Sequence, residues 1–318
     1  SLLDPKNKRN SVFPIQYEDI YKYYMIHQSL FWTPYEVDLF EDINHWNNIL
    51  NDDERYFYEM ILAFFAGSDF AVIDKEKKAS DEVINYEYGL MINDKISRED
   101  VHSISYAMML EAYIKDPVKK ERLKNAINEI PTVKKKNDWF KKHIDESDFV
   151  SREIAGAITE GIYFSSSFCA IFLLKTRNLM PGLCIYNEFI SRDEGIHRDF
   201  STMIYRDHVV NKWSKEKIIE TVCEAVDIEI EFCTASLPVK LIGMSAEKMS
   251  QYVRYVADKL LIELIGEKYY FDENPFPWMV YISMETVADF FVTRPSSYSK
   301  QKNLTNPEDN IIRFNEDY

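Results

Sequence analysis

The apolar positions of this chain fall into long periodic stretches with few turn formers between them, a pattern that predicts long helices. Residues 17–29, opening Tyr17-Glu18-Asp19-Ile20-Tyr21, read as a helix that stops before Phe31-Trp32-Thr33-Pro34, where Pro34 disfavours α geometry at Thr33. Residues 53–73 read as an amphipathic to buried helix carrying Asp69. Residues 74–97 are the least periodic, and Lys75 to Lys78 with Ile92-Asn93-Asp94-Lys95 suggest breaks or an exposed excursion. A helix is expected again from Ser97, as its N-cap, through Glu99, His102 and Tyr106 to about Ile114, with Pro117 beyond its end.

Further along, Lys134-Lys135-Lys136-Asn137-Asp138 opens what reads as a solvated surface helix. Residues 155–174 are apolar nearly all round and are expected to form one central core helix. The stretch Arg177-Asn178-Leu179-Met180-Pro181-Gly182 is a stop, and Cys184 to Tyr205 forms the next helix. Residues 215–235 and 246–265 follow, separated by Leu237-Pro238 and Gly243. From Arg294-Pro295-Ser296-Ser297 the periodicity ceases, which divides the chain into a helical domain over 1–293, with residues 1–16 as an arm, and a tail over 294–318.

Composition narrows the choice. With 8 Gly and 11 Pro in 318 residues, a glycine-rich phosphate loop or a many-turned sandwich is disfavoured. The formal net charge of −15 argues against nucleic acid as a partner, since phosphates are held by Lys and Arg. Cys169, Cys184, Cys223 and Cys233 show no C-x-x-C spacing and read as idle thiols of a reducing cytoplasm. No run of 18 uninterrupted apolar residues occurs, so no membrane span is expected. The first residue is Ser rather than Met, so residues upstream of Ser1 are expected.

The chemistry gathers around Asp193-Glu194-Gly195-Ile196-His197. Glu194 and His197 are three residues apart, which on a helix places both side chains on one face, able to converge on one ion. A second such pair stands at Glu99-Asp100-Val101-His102. Two Glu-x-x-His pairs with one lone carboxylate from each of two further helices make a two-metal carboxylate bundle. Asp69 and Glu160 are the candidates for the lone carboxylates. Glu160 is set among Ile158, Ile162, Phe164, Phe168 and Phe172, where an unpaired carboxylate costs several kcal/mol and so calls for a cation. A lone Glu-x-x-His in so acidic a chain is usually a solvated face; the apolar setting of Glu160 and Asp69 is what favours metal. Tyr106, four residues after His102, shares the face of the first pair.

The chain resembles the small, radical-generating subunit of class I ribonucleotide reductase almost from end to end. The resemblance rests on Phe13-Pro14-Ile15, Phe31-Trp32-Thr33, Ala63-Phe64-Phe65-Ala66 leading to Ser68-Asp69, Glu160-Gly161-Ile162, Ser167-Phe168, and Leu179 to Leu183. It continues through Ser191 to His197, Leu237 to Met244 and Asn274-Pro275-Phe276. The resemblance implies an all-α, ferritin-like helical bundle with additional helices and a flexible C-terminal tail. It implies that Asp69, Glu99, His102, Glu160, Glu194 and His197 hold two iron ions, with Glu99 and Glu194 able to bridge, and that Tyr106 becomes a tyrosyl radical when the reduced centre meets O2. Phe164, Phe168 and Ile190 would shield it. Trp32 and Asp193 would relay from His102, Tyr298 would continue the relay, and the Phe314 to Tyr318 end would dock on a large catalytic subunit. A homodimer, or a heterodimer with a sister chain, is implied.

Three features depart from that family's pattern. Extra residues and a turn-like Asn93-Asp94 precede Glu99, Ile104 stands in place of Glu, with Tyr163 in place of Phe, and the tail ends in Tyr318 rather than Phe. They motivate a second reading, a radical-less structural or regulatory paralogue partnering an active small subunit. If the radical is not on Tyr106, Tyr163 is the alternative. An iron oxidase or storage protein is a third reading, against which Trp32, Asp193, Tyr298 and the tail weigh.

Overall fold

A computed structural model describes residues 2–145 and 148–279, without the side chains of Phe70 and 124–129; the tail, with Tyr298, Phe314 and Tyr318, lies outside the described residues. Every regular element described is helical. In order the α-helices are α1 (Glu18–Ser29), α2 (Phe40–Asn48), α3 (Asp52–Glu82), α4 (Tyr86–Tyr113), α5 (Pro117–Glu129), α6 (Pro131–Asp145), α7 (Phe149–Ile158), α8 (Ser165–Thr176), α9 (Pro181–Met203), α10 (Lys215–Glu231) and α11 (Ala246–Ile265), with short 3-10 and π-helical turns between and beyond them. Helices α3, α4, α7 and α9 form the central bundle: α3 packs along α4 and α7, and α9 packs on α4 and α7. The first helix braces α4 and α9, while α10 and α11 cover the far side.

Local chemistry sets the ends of the site helices. Asn51 and Glu54 form a reciprocal capping box at the start of α3, and the Asn85 side chain accepts from Tyr88 N–H at the start of α4. Helix α9 begins at Pro181, just after left-handed Met180 (φ 53°). Its first N–H groups, on Gly182 and Leu183, donate to Asp42 at 2.8 and 2.7 Å. Gly182 permits that approach, because a Cβ there would lie 2.8 Å from the Asp38 carbonyl oxygen.

The middle of the chain departs from its sequence pattern in three places. Residues 74–97 hold one break, at 83–85 between α3 and α4, and it is not where Lys75 to Lys78 or Asn93-Asp94 suggested: α3 runs on to Glu82, α4 starts at Tyr86, and Asn93, Asp94 and Ser97 lie inside it. Lys75 and Lys95 are buried because carboxylates pair with both. The apolar stretch 155–174 is two α-helices joined by a π-helical turn over Thr159–Tyr163. In α6, Lys136 is buried, 2.5 Å from Glu229, while Lys134 and Lys135 face solvent. Helices α7 and α8 are long and apolar enough together to cross a membrane by composition, yet 94% of that stretch is buried inside the bundle. They form its core.

Candidate metal centre

Six side chains from four segments meet in the middle of the bundle. Helix α4 supplies Glu99 and His102, α9 supplies Glu194 and His197, α3 supplies Asp69, and the π-helical turn supplies Glu160. All six are buried. One ligand atom from each of Glu99, Glu160, Glu194 and His197 lies within 4.8 Å of the others. His102 Nδ1 sits 3.2 Å from Glu99 Oε2 and 3.1 Å from Glu194 Oε1. His197 Nδ1 sits 3.1 Å from Glu99 Oε1 and 3.4 Å from Glu194 Oε2. Glu99 and Glu194 thus each face both imidazoles. Asp69 stands at the His102 end, its Oδ2 accepting from Ser103 Oγ at 3.2 Å.

The electrostatics favour a cation. Burial pushes the Asp69 carboxyl well up, and Glu99 and Glu194 add to the rise. Burial likewise lifts Glu160 to about 7 against the pull of Lys95. Burial opposes charge on His197, yet its contacts with Glu194 and Glu99 raise that imidazole to about 9. The carboxylates that favour a positive imidazole also favour a metal ion at the same nitrogen. Glu99 Oε1, both Glu160 carboxylate oxygens, Glu194 Oε2 and His197 Nδ1 are buried without a well-formed hydrogen bond, an orphaning that metal ligation would relieve. Carboxylates with imidazoles suit iron or manganese, so the donor set fits a two-metal centre.

Outward from the two histidines the surroundings differ. His102 Nε2 is 3.2 Å from Asp193 Oδ2, which accepts from Trp32 Nε1–H at 2.7 Å and has the Arg98 guanidinium 3.6 Å away. Burial works against charge on Asp193, but His102, Arg98 and Arg192 hold its carboxyl far below the usual range. His197 Nε2 is instead 2.9 Å from His27 Nε2, and His27 Nδ1 is 2.6 Å from Asp94 Oδ2. With N–H on His27 Nδ1 toward Asp94, His27 Nε2 is left to accept from His197 Nε2–H, and His197 Nδ1 faces the carboxylates of the cluster. Beyond Glu160 runs a buried ladder of alternating charge. Lys95 Nζ is 2.5 Å from Glu160 Oε1 and 2.7 Å from Glu76 Oε1; Lys75 Nζ is 3.0 Å from Glu76 Oε1 and 3.9 Å from Glu153 Oε1. Tyr88 closes the ladder by donating to Glu153 at 2.6 Å.

The family model described as ribonucleotide reductase, small chain, matches residues 9–275. The chain belongs to this family. Human ribonucleoside-diphosphate reductase subunit M2 is 43% identical across the whole chain and 82% of its own length. The small chain of Trypanosoma brucei brucei is 42% identical over 94% of this chain and 89% of its own. Among solved structures, the Saccharomyces cerevisiae ribonucleotide reductase Rnr4 homodimer superposes with a TM-score of 0.81 at 31% identity, covering 87% of this chain and 88% of that one. The dimanganese(II)-NrdF of Streptococcus sanguinis, at 18% identity, shares the fold with a TM-score of 0.77 over 86% of this chain and 99% of that one. The architecture is that of the ferritin-like small chains.

In this small chain Tyr106 is 2% exposed and stacks on Phe65, ring centroids 5.0 Å apart and planes 4° apart. Burial raises its phenol well above the usual value, and Asp69, Glu194 and Glu99 add to the rise; Tyr106 lies one turn beyond His102 on α4. Phe65 in turn stacks on Phe168 at 4.9 Å and meets Phe164 edge-on at 5.4 Å. Tyr163 faces elsewhere, edge-on to Trp139 at 5.3 Å and near Lys136. Ile190 is buried, and Ile104 is exposed. A cavity of about 850 Å3 between α8, α9 and α11 reaches Glu160 and Glu194.

Sequence reasoning brought the six candidate ligands, Tyr106, Trp32 and Asp193 to this point and missed Phe65, His27, Asp94, Arg98 and the ladder. Lys95, four residues before Glu99, carried a signal of shared helix face. His27 and Asp94, 67 residues apart, carried none.

Proposed function

We propose that this chain is the radical-generating small subunit of a ribonucleoside-diphosphate reductase, with a di-iron centre held by Asp69, Glu99, His102, Glu160, Glu194 and His197. The gathering of Glu99, Glu160, Glu194 and His197 within 4.8 Å, all buried, with Tyr106 buried one turn beyond His102 on α4, carries the reading. When bound, the irons supply the oxidising equivalents drawn from O2. The protein supplies the rest. Tyr106 would give up an electron to that oxidant and its phenolic proton to a carboxylate of the cluster and would keep the radical, while Phe65, Phe164 and Phe168 exclude water and reductants. Asp193 orients His102 through Nε2 and joins it to Trp32, the start of a relay that Tyr298 continues. The tail over 294–318 docks on the large catalytic subunit through Phe314 and Tyr318, and ribonucleotides are reduced there. The working form is a cytoplasmic dimer, of like chains or with a sister small subunit.

The test is anaerobic loading with Fe(II), exposure to O2, and electron paramagnetic resonance of the wild type beside Tyr106→Phe. A tyrosyl signal present in the first, absent in the second and accompanied by equal iron supports the assignment; an undiminished signal in Tyr106→Phe sinks it.

One observation favours the second reading, a radical-less partner of an active sister: the Lys95 ammonium on Glu160, inside the ligand set. An iron-free, silent chain that restores turnover to a sister small subunit would establish that role instead.

A further inference from the structure

The Lys95 ammonium is placed where metal charge is expected. Lys95 leaves α4 one turn before Glu99, and its Nζ is wholly buried, 2.5 Å from Glu160 Oε1. Glu160 also contributes to the 4.8 Å group with Glu99, Glu194 and His197. We infer that Lys95 is a resident cation of the centre, sharing Glu160 with the metal and so making the two metal positions unequal. This rests on the reading that the six residues bind metal.

A carboxylate that faces an ammonium offers a metal only its other oxygen and part of its charge. A divalent ion bound between Glu160 and His197 must also lie within a few ångströms of a positive charge in a poorly polarisable interior, where repulsion is weakly screened. Lys95 has little room to withdraw. Its second anchor, Glu76, is shared with Lys75, and the Lys75 Nζ already lies 2.9 Å from where a Cβ on Gly156 would stand. The ladder Glu153, Lys75, Glu76, Lys95 is neutral in itself, so it adds no net charge to the centre, only a positive end directed at Glu160. At the other end, no ion pair joins a described lysine or arginine to Asp69 or Glu99. There Arg98 is directed at Asp193 instead. The position built on Asp69, Glu99 and His102 therefore fills first, and the one using Glu160 and His197 fills second and more weakly.

The experiment is anaerobic calorimetric titration of the metal-free full chain with Fe(II), repeated with Co(II) read by visible absorption, and metal counting after gel filtration. The wild type is expected to bind in two separated steps, the second at least tenfold weaker, and to keep about one ion per chain. Lys95→Gln and Lys95→Met are expected to tighten the second step at least tenfold and keep two ions, with the first step unchanged. Two equal sites in the wild type, or a second step that weakens or stays put in both variants, would overturn the role of Lys95 alone. No binding at all in wild type and variants would overturn the metal reading with it. If the single variants unfold, as judged by far-ultraviolet circular dichroism, Lys95→Gln with Glu76→Gln removes both charges together and is read the same way.

Discussion

The two Glu-x-x-His helices present the same ligands at the same depth, yet behind the two histidines stand different kinds of matter. At the His102 end one carboxylate, Asp193, collects an imidazole, an indole N–H and a guanidinium. At the His197 end a second imidazole, His27, takes that place and passes the contact to Asp94, with the Lys95 ladder close by on Glu160. An anion behind a ligating imidazole strengthens it as a donor and fixes its tautomer; an imidazole fixes the tautomer with less charge. The contrast teaches that an identical Glu-x-x-His motif does not set the electrostatics of the site it builds. Those come from residues up to 170 positions away in the chain, as with His27 and His197.

The sharpest way to break the contrast is to empty the anionic end. Asp193→Ala removes the carboxylate that accepts from Trp32 and balances the buried His102 and Arg98, and breaking a buried pair of that kind costs about 3–5 kcal/mol. Urea unfolding of the metal-free protein should show it, with loss of turnover in the presence of the large subunit; a change below about 1 kcal/mol would mean that water or Glu99 replaces the carboxylate without penalty. A smaller effect is expected at the other end. His27→Ala should weaken metal binding about 10- to 100-fold, the usual consequence of removing a ligand's outer partner, with the loss confined to one of the two titration steps. Loss spread evenly over both would show that His27 supports the bundle generally. The smallest effect belongs to Phe65→Leu, which removes a stacked ring worth about 0.5–1.5 kcal/mol. It should leave metal content intact while shortening the lifetime of the Tyr106 radical signal, and an unaltered lifetime would move the shielding role to Phe164 and Phe168.

The candidate ligands were legible because their chemistry is local: three-residue spacing on a helix, and carboxylates in apolar runs. The stretch 74–97 misled for a physical reason. Lys and Glu are almost never buried unless paired, so a run rich in them reads as surface. The partners that bury Lys75 and Lys95, Glu153 and Glu160, arrive on another segment 78 and 65 positions later. Lys136 repeats the lesson, masked by exposed lysines on either side and paired with Glu229 from α10. The break at Thr159–Tyr163 was hidden for the opposite reason, since a segment buried on every face has no polar stripe whose phase could slip.

That break has a consequence for how the chain can change in length. A π-helical turn holds one residue more than an α-helical turn spanning the same rise. Deleting a single residue between 159 and 163 would therefore leave an unbroken, well-bonded α-helix from α7 into α8, an outcome that inspection of helicity alone would pass as harmless. The segment beyond the deletion would keep nearly its present face toward the bundle, because the wide turn already takes up the extra residue. Phe164, Phe168 and Ser166 would stay close to Phe65 and Glu229, while Glu160, inside the turn, would lose its present placement. The extra residue is a local setting for Glu160, so the length of this segment is as much a part of the site as the identity of Glu160.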